Sequence, residues 1–205
     1  MKLQVEAGHY YKDYDSKERF NSYWHQINEI LSHKPRKILE IGIGNNFVSN
    51  YLIKRGFNVI TLDIDKKLNP VAVSSVLNIP FSYETFDVVA CYEVLEHLPY
   101  TYFKKALNEI FYVSNSYAIL SLPDANRACR LFFQIPKIGT FKKIIQFPRL
   151  EKTVNHFDGQ HYWEIGKADY SLKTIIDAIR KAGFKIEKTY RVFETPYHRF
   201  FVLKK

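Results

Sequence analysis

The sequence has little cysteine and no long apolar run. Its two cysteines, Cys91 and Cys129, are too few for a disulfide framework, so both are predicted to be reduced thiols in a cytoplasmic protein. No uninterrupted apolar stretch approaches the roughly 20 residues that span a bilayer, and residues 1–12 lack the apolar core of a signal peptide. The 8 glycines and 8 prolines show no repeat, which excludes collagen-like and low-complexity chains.

Positive charge and aromatic side chains are abundant instead. Lysine and arginine total 30 against 21 acidic residues, a formal net charge of +9, and aromatic residues make up 16% of the chain. This balance is typical of proteins that contact nucleic acid, a membrane surface or an anionic substrate, and also of a plain solvated basic surface. Composition alone leaves these alternatives open.

Apolar runs and helical patterns alternate along most of the chain. Strands are predicted at 37–41, 58–63, 71–76, 86–92 and 117–122, and helices at 15–33, 47–55, 100–113 and 171–182. Two closing strands, at about 184–193 and 197–203, are joined so closely that they must pair antiparallel. The alternation predicts one α/β domain over residues 1–205: a mostly parallel seven-stranded sheet with an antiparallel last strand and helices on both faces.

Two details of this prediction concern burial and an insertion. In the N-terminal helix, about 15–33, Phe20, Trp24, Ile27 and Leu31 recur at helical spacing and are predicted to form its buried face.

Residues 125–160 break the alternation and are predicted to be a partly helical, lid-like insertion. Its segment 127–152 mixes basic and apolar residues, so it could be a lid over the substrate, a peripheral contact with anionic lipid, or an oligomer contact or plain packing.

The clearest chemical signal is a glycine turn between the first strand and the helix that follows it. Gly42 and Gly44 let backbone N–H groups approach a ligand closely at a helix N-terminus. Asp63 ends the next strand and is suited to accept hydrogen bonds from both ribose hydroxyls. Phe47 stands where a dinucleotide site would place a third glycine, and Glu40 suits a cationic ligand rather than a pyrophosphate. These residues predict a nucleoside-containing cofactor.

The motifs around this turn resemble those of a known family. Residues 38–44 (ILEIGIG) resemble the first motif of the class I S-adenosylmethionine-dependent methyltransferases. Residues 86–89 (FDVV) through 94–98 (VLEHL) resemble the fourth-strand motif of the type 11 subgroup, and residues 77–81 (LNIPF) match the loop before it. The resemblance implies a Rossmann-like fold and an enzyme that uses S-adenosyl-L-methionine as its cofactor.

The resemblance also implies roles for individual residues at the cofactor. Asp63 would bind the ribose, and Ser75 stands where the family usually has an aspartate near the adenine, so the Val76 amide would serve the ring instead. Asn45 replaces a third glycine found in many members. The implied cofactor-binding residues are Glu40, Gly42, Gly44, Asn45, Asp63, Ile64, Ser75, Val76, Cys91 and Tyr92.

Candidates for the acceptor side lie in two segments. Glu93, His97 and His161 are predicted as catalytic residues that take the acceptor proton. His156 and Trp163 are predicted as substrate contacts, and His156 is a further candidate for that proton. The competing interpretation is that Trp163 fills the core and His161 caps it. A metal site through His156 and His161 is not favoured, because no cysteine pair or further nearby histidine supports it, and no metal is expected.

The methyl acceptor is the least determined part of the prediction. We expect a small-molecule or glycan-like acceptor. The first alternative is a nucleic-acid (RNA) methyltransferase, motivated by the net charge of +9. The second is a non-catalytic protein that binds the cofactor without turnover, motivated by Ser75.

Overall fold

The computed structural model describes residues 5, 7–10, 14–147, 153–157 and 159–205. Its main sheet has seven strands: β1 (Lys37–Ile41), β2 (Asn58–Asp63), β3 (Ala72–Val73), β4 (Phe86–Tyr92), β5 (Ser114–Pro123), β8 (Lys185–Arg191) and β9 (His198–Lys204). A separate two-stranded sheet consists of β6 (Ala128–Ile135) and β7 (Gly139–Gln146). The α-helices are α1 (Lys17–Ser32), α2 (Phe47–Lys54), α3 (Phe103–Val113) and α4 (Leu172–Lys181).

The strand order in the main sheet is β3-β2-β1-β4-β5-β9-β8. Strand β9 runs antiparallel to both of its neighbours, and the other pairs are parallel. This confirms the predicted mostly parallel sheet with an antiparallel last strand. The order reverses between β1 and β4, and in such sheets the ligand crevice lies at the carboxyl ends of the strands beside the reversal.

Alternation along the strands divides the core between the two faces of the sheet. On one face, Leu39 and Cys91 pack with residues of α3 and α4. On the other face, Ile38 and Ala90 pack with residues of α1 and α2. Successive strand residues point to opposite faces, so neighbours in sequence belong to different clusters.

The predicted buried face of the N-terminal helix is wrong for its first half, although Ile27 and Leu31 are partly buried and pack against the core. Phe20 and Trp24 are 48% and 61% exposed, whereas the buried residues of α1 are Ser22, Tyr23, Gln26, Glu29 and Ile30. Glu29 is buried because β8 supplies its partners: the Lys188 ammonium donates to its carboxylate at 2.6 Å and the Tyr190 hydroxyl at 2.7 Å. Polar pairing with a distant strand therefore decides which face of α1 turns inward.

The prediction that the insertion is partly helical is also wrong for its described part. Strands β6 and β7 form a regular antiparallel hairpin, in which residue pairs from Ala128–Gln146 to Ile135–Gly139 satisfy the backbone hydrogen bonds. The Arg130 guanidinium donates to the Glu194 carbonyl, and the Lys142 ammonium to the Glu194 carboxylate at 3.0 Å, so the hairpin is attached to the β8–β9 connection. Residues 148–152, which complete segment 127–152, lie outside the described residues.

Other boundaries follow the predictions closely. The strand predicted at 71–76 is shorter, since only Ala72–Val73 pairs with β2, and Ser74 and Asn78 instead close a turn.

None of the described helices is long and apolar enough to cross a membrane. The cytoplasmic location and the assignment of 1–205 to one domain stay predictions.

Candidate active site

The glycine turn after β1 requires glycine at position 42. Gly42 has a φ of 77°, and a Cβ built there would lie 2.2 Å from Cγ2 of Val94. Its N–H donates to the Leu62 carbonyl at 2.9 Å, which joins the turn to the end of β2. Gly44 also has a positive φ, 52°. Only a residue without a side chain fits this backbone and still allows the chain after β4 to approach.

Asp63 is held at the carboxyl end of β2 by two backbone N–H groups. Ile43 donates to its Oδ2 at 2.9 Å and Asp65 to its Oδ1 at 2.9 Å. Burial raises the pKa of Asp63 above its ordinary value, although these hydrogen bonds act in the opposite direction. Each carboxylate oxygen keeps a second lone pair, so the side chain is oriented and still able to accept from a ribose.

Glu40 is a buried carboxyl group with spare capacity for a ligand. It is 4% exposed, and its Oε2 has no hydrogen-bond partner among the described residues. Burial raises the pKa of Glu40 to about 8, against hydrogen bonds from Ser49 that lower it. A buried acid in this state is neutral near pH 7, and a nearby positive charge favours its ionised form. This side chain therefore fits a ligand that carries a sulfonium and an ammonium group.

One cleft at the carboxyl edge of the sheet contains most of the predicted site. Of the predicted residues, the following line it: Glu40, Gly42, Gly44, Asn45, Asp63, Ile64, Ser75, Val76, Tyr92, Glu93 and His97. Cys91 does not, which corrects its predicted contact with the cofactor. Its side chain points to the other face of β4 and packs among buried apolar residues.

The chain before α1 also contributes to this cleft, which sequence reasoning missed. Val5, Tyr10 and Tyr14 precede α1 and line the cleft, together with Arg19 in the first turn of α1. The Tyr10 ring lies beside the glycine turn, 3.5 Å from a Cβ built on Gly44. The Arg19 guanidinium donates to the Tyr14 hydroxyl at 2.8 Å and lies 3.9 Å from the centre of its ring. The available signal was the tyrosine-rich segment just before the N-cap Ser16. The described hairpin residues do not line the cleft, so the lid-like role of 125–160 stays a prediction.

The acceptor side of the cleft begins where β4 ends. Glu93 has a positive φ of 50°, and its Oε1 is buried without a hydrogen-bond partner among the described residues. Glu96, which the sequence analysis overlooked, is fully buried, and neither of its carboxylate oxygens has such a partner. Burial, and then the nearby charge of Glu93, raise the pKa of Glu96 well above its ordinary value.

The two histidines predicted as bases lie side by side. Their ring centres are 5.1 Å apart, and the Nδ1–H of His97 donates to the Gln160 carbonyl at 2.9 Å. His161 Nδ1 lies 3.0 Å from a carboxylate oxygen of Glu164. Burial raises the pKa of Glu164, but hydrogen bonds from His161 and Tyr197 outweigh it and leave the pKa below its ordinary value. His97 lines the cleft, whereas His161 is not among the lining residues and contacts the ring of His97 edge to face.

The prediction that Trp163 stacks on an acceptor is wrong. Trp163 is fully buried, its Nε1–H donates to the Leu98 carbonyl at 3.0 Å, and the rings of Tyr100, Phe103 and Tyr170 surround it. It belongs to the core on the α3 and α4 face. His156, the other predicted substrate contact, is exposed and does not line the cleft.

Comparison with known proteins agrees with this geometry. Residues 39–121 match a family model described as a methyltransferase domain, type 11. The chain is 26% identical over 126 residues to the ribosomal RNA small subunit methyltransferase A of Mesomycoplasma hyopneumoniae, covering 58% of this chain and 49% of that protein. It is 32% identical over 79 residues to the ubiquinone biosynthesis O-methyltransferase of Aliivibrio fischeri, covering 31% and 34%. The chain spans less than half the length of these relatives.

A solved structure extends the comparison to the whole fold. The 1,6-didemethyltoxoflavin-N1-methyltransferase of Burkholderia thailandensis, with bound 1,6-didemethyltoxoflavin and S-adenosylhomocysteine, superposes with a TM-score of 0.63 at 12% identity. The superposition covers 97% of this chain and 84% of that one. The chain therefore has the fold of the class I S-adenosylmethionine-dependent methyltransferases. Over residues 39–121 the chain is similar to the methyltransferase family that this model describes, which confirms the resemblance drawn from the motifs. The methyl donor of this class is S-adenosyl-L-methionine, the predicted cofactor.

Proposed function

We propose that the protein transfers a methyl group from S-adenosyl-L-methionine to a small-molecule or glycan-like acceptor. The observation that carries the proposal is the cleft, where a fixed Asp63 and an unsatisfied Glu40 lie on either side of a turn that only glycine can form. Asp63 would hold the ribose, and Glu40 with the turn amides would hold the charged methionine end. The bound cofactor supplies an electrophilic methyl group, so the protein mainly positions the acceptor.

Charge around the cleft favours a small acceptor over RNA. The described side chains that line it include the acids Glu40, Asp63, Asp65 and Glu93, whereas Arg19 is the only arginine or lysine among them. A nucleic-acid site needs a continuous basic surface beside the cofactor to neutralise phosphates. Glu40 and Asp63 face the cofactor, so the argument about the acceptor rests on Glu93 and on the single cation Arg19 among the described lining residues, which suit a neutral or cationic acceptor.

Proton removal from the acceptor falls to residues at the end of β4. His97 lines the cleft, and because its Nδ1 donates to the Gln160 carbonyl, its neutral ring presents an unprotonated Nε2. Glu93 lies on the same side of the cleft. We propose His97 as the general base, with Glu93 as a polar contact to the acceptor.

RNA methylation remains the second candidate because of one observation. The relative from Mesomycoplasma hyopneumoniae is a ribosomal RNA methyltransferase, and it matches over more of this chain than the ubiquinone biosynthesis enzyme does. In this case the basic hairpin, with Arg130, Lys142 and Lys143, would contact the phosphates. None of the described hairpin residues lines the cleft, which is the reason that we place RNA second.

A transfer assay separates these candidates. The protein is incubated with cofactor labelled at its methyl group and with either a low-molecular-weight extract or purified RNA. We expect label in the small-molecule fraction, and we expect Asp63→Ala to reduce it at subsaturating cofactor because cofactor binding is weakened. Label in RNA would establish the second candidate. Binding of S-adenosylhomocysteine with no label in either fraction would instead support a non-catalytic binding protein.

A further inference from the structure

Three side chains that can bind a metal ion meet beside the cleft. Glu96, His97 and His161 each offer one ligand atom, and these atoms lie within 4.8 Å of one another. The first two are adjacent in the turn after β4, and the third comes from the segment that follows the hairpin. Two hydrogen bonds hold the segments together: His97 to the Gln160 carbonyl, and the Tyr162 N–H to the Glu96 carbonyl at 2.9 Å.

Both histidines are oriented as metal-binding histidines usually are. A carbonyl can only accept, so His97 carries its proton on Nδ1 and its lone pair on Nε2. His161 directs Nδ1 to the Glu164 carboxylate, which also accepts from the Tyr197 hydroxyl. Metal-binding histidines typically donate their second N–H to a carbonyl or a carboxylate, which fixes the ring and raises its basicity. The supporting contacts of a metal site are therefore already in place.

Glu96 is the independent observation that points to a ligand. It is fully buried, and neither of its oxygens has a well-aligned hydrogen bond to a described residue; the carboxyl group of Glu93 lies close enough to share a proton with it, and Glu93 and Glu164 add negative charge nearby. Among the described residues no lysine or arginine forms an ion pair with Glu96, whereas Glu164 has a weak one with Lys167 at 3.9 Å. A buried carboxylate without a partner is costly, and either a proton or a cation removes that cost.

We propose that Glu96, His97 and His161 bind one divalent transition-metal ion, Zn²⁺ by preference. Two histidines and a glutamate are a ligand set that zinc enzymes use when a further coordination position stays open. Imidazole ligands favour Zn²⁺ over Mg²⁺. His97 lines the cleft, so the open position faces the acceptor space and would hold an acceptor oxygen. That use rests on the proposed methyl transfer, whereas metal binding does not. With the ion bound, Nε2 of His97 is a ligand, so the metal rather than His97 would lower the pKa of the acceptor hydroxyl, and the general-base role of His97 applies to the metal-free protein.

Metal binding is tested on cofactor-free protein. Tag-free protein stripped with a chelator is titrated with Zn²⁺ in competition with a chromophoric chelator. We expect one ion per chain, bound about 100-fold or more weakly in His97→Ala and in His161→Ala. His156→Ala removes an exposed histidine from the same region and should bind Zn²⁺ like the unaltered protein. Glu164→Gln should weaken binding by about 10-fold or more, because it replaces the charged acceptor that orients His161 with a neutral amide.

Glu96→Gln separates metal binding from folding. The amide keeps the shape of the buried side chain and removes its charge, so the metal-free variant should melt no lower than the unaltered protein and yet lose Zn²⁺ binding. The proposal is overturned if the unaltered protein binds no Zn²⁺, or if the three ligand variants bind it as tightly as His156→Ala. Zn²⁺ binding without methyl transfer would refute the proposed function alone. Full methyl transfer by metal-free protein would refute only the acceptor-binding use.

Discussion

The two sides of the cleft differ in how far apart their residues lie in the chain. On the cofactor side, the bond between Ile43 and Asp63 joins residues 20 positions apart, within one strand–helix–strand unit. On the acceptor side, the bond between His97 and Gln160 joins residues 63 positions apart, across β5 and the hairpin. A local unit leaves a motif that can be recognised from sequence, whereas a contact over this distance leaves none.

The largest expected effect is on the free energy of unfolding and compares Trp163, near the acceptor side, with the exposed Trp24. Trp163→Ala should lower the free energy of unfolding by about 3–5 kcal/mol, because it empties a site in the core. The control is Trp24→Ala, which removes a ring that is 61% exposed and should change stability by about 0.5 kcal/mol or less. Urea unfolding measures both. Similar small losses would contradict the burial of Trp163 and restore it as a substrate contact.

The glycine turn should give the next largest effect. Gly42→Ala adds a methyl group 2.2 Å from Val94, at a positive φ. Gly56→Ala is the matched control, since its φ is 86° but no atom lies within 4 Å of the added carbon. Both changes should cost about 1–2 kcal/mol of stability for the backbone conformation, and only Gly42→Ala should add a clash of about 1–3 kcal/mol. Calorimetry should show weakened S-adenosylhomocysteine binding in Gly42→Ala alone.

Asp63 and Asp87 allow the carboxyl and amino ends of the parallel strands to be compared. Asp63→Ala should weaken cofactor binding by about 1.5–3 kcal/mol, because the ribose loses its charged acceptor. Asp87 likewise accepts two backbone N–H groups, from Arg36 and Lys37, but at the amino end of β4. Asp87→Ala should lower the melting temperature and leave cofactor affinity unchanged. Isothermal titration measures the affinities, and equal losses in both variants would remove Asp63 from the ribose site.

Glu40 should make cofactor affinity depend on pH. Its pKa of about 8 in the free protein lies above the ordinary value, so the carboxyl group is protonated at pH 6 to 7. S-adenosylmethionine is positively charged and favours the ionised form, so binding should release a proton. Affinity should therefore rise with pH, by at most about tenfold per unit, and level off above about 8. Titrations should show a flatter profile for Glu40→Gln, and an unchanged profile would exclude Glu40 from the cofactor.

The same pKa shift has a consequence for the free protein. An acid whose folded pKa is raised binds more protons when folded than when unfolded, between its ordinary pKa and about 8. Its contribution therefore lowers the free energy of unfolding as pH rises through that window. Glu40→Gln should remove this loss, which urea unfolding at pH 6 and pH 8 measures.

The smallest effect is expected in the hairpin. Phe133 is 56% exposed, so Phe133→Ser should change the free energy of unfolding by about 0.5 kcal/mol or less. Phe103→Ser, at a position that is 1% exposed, is the buried counterpart and should cost several times more. A large loss in Phe133→Ser, measured by urea unfolding, would mean that the hairpin packs against the protein more closely than its exposure indicates.

Local sequence determined the cofactor half of this protein. Alternation of apolar residues predicted the sheet and its antiparallel last strand, and the glycine turn with Asp63 predicted the cleft, since strand period and turn chemistry act over a few residues. The apolar run of β4 and the motif after it also predicted that Glu93 and His97 follow the end of this strand. It misjudged Cys91 only because motif position does not say to which face of the strand a side chain points.

Tertiary structure determined which residues are buried and which meet, in cases where local sequence patterns do not distinguish them. Trp24 and Trp163 are both large apolar residues, but only the second meets the rings of α3 and its flanking turn, so only the second is buried. The hairpin became two strands because its backbone groups pair with each other rather than within a helix. Glu96, His97 and His161 meet because hydrogen bonds between distant segments bring them together. The burial of a side chain and its contacts with distant residues depend on which other segments pack against it. A single segment of sequence does not contain that information.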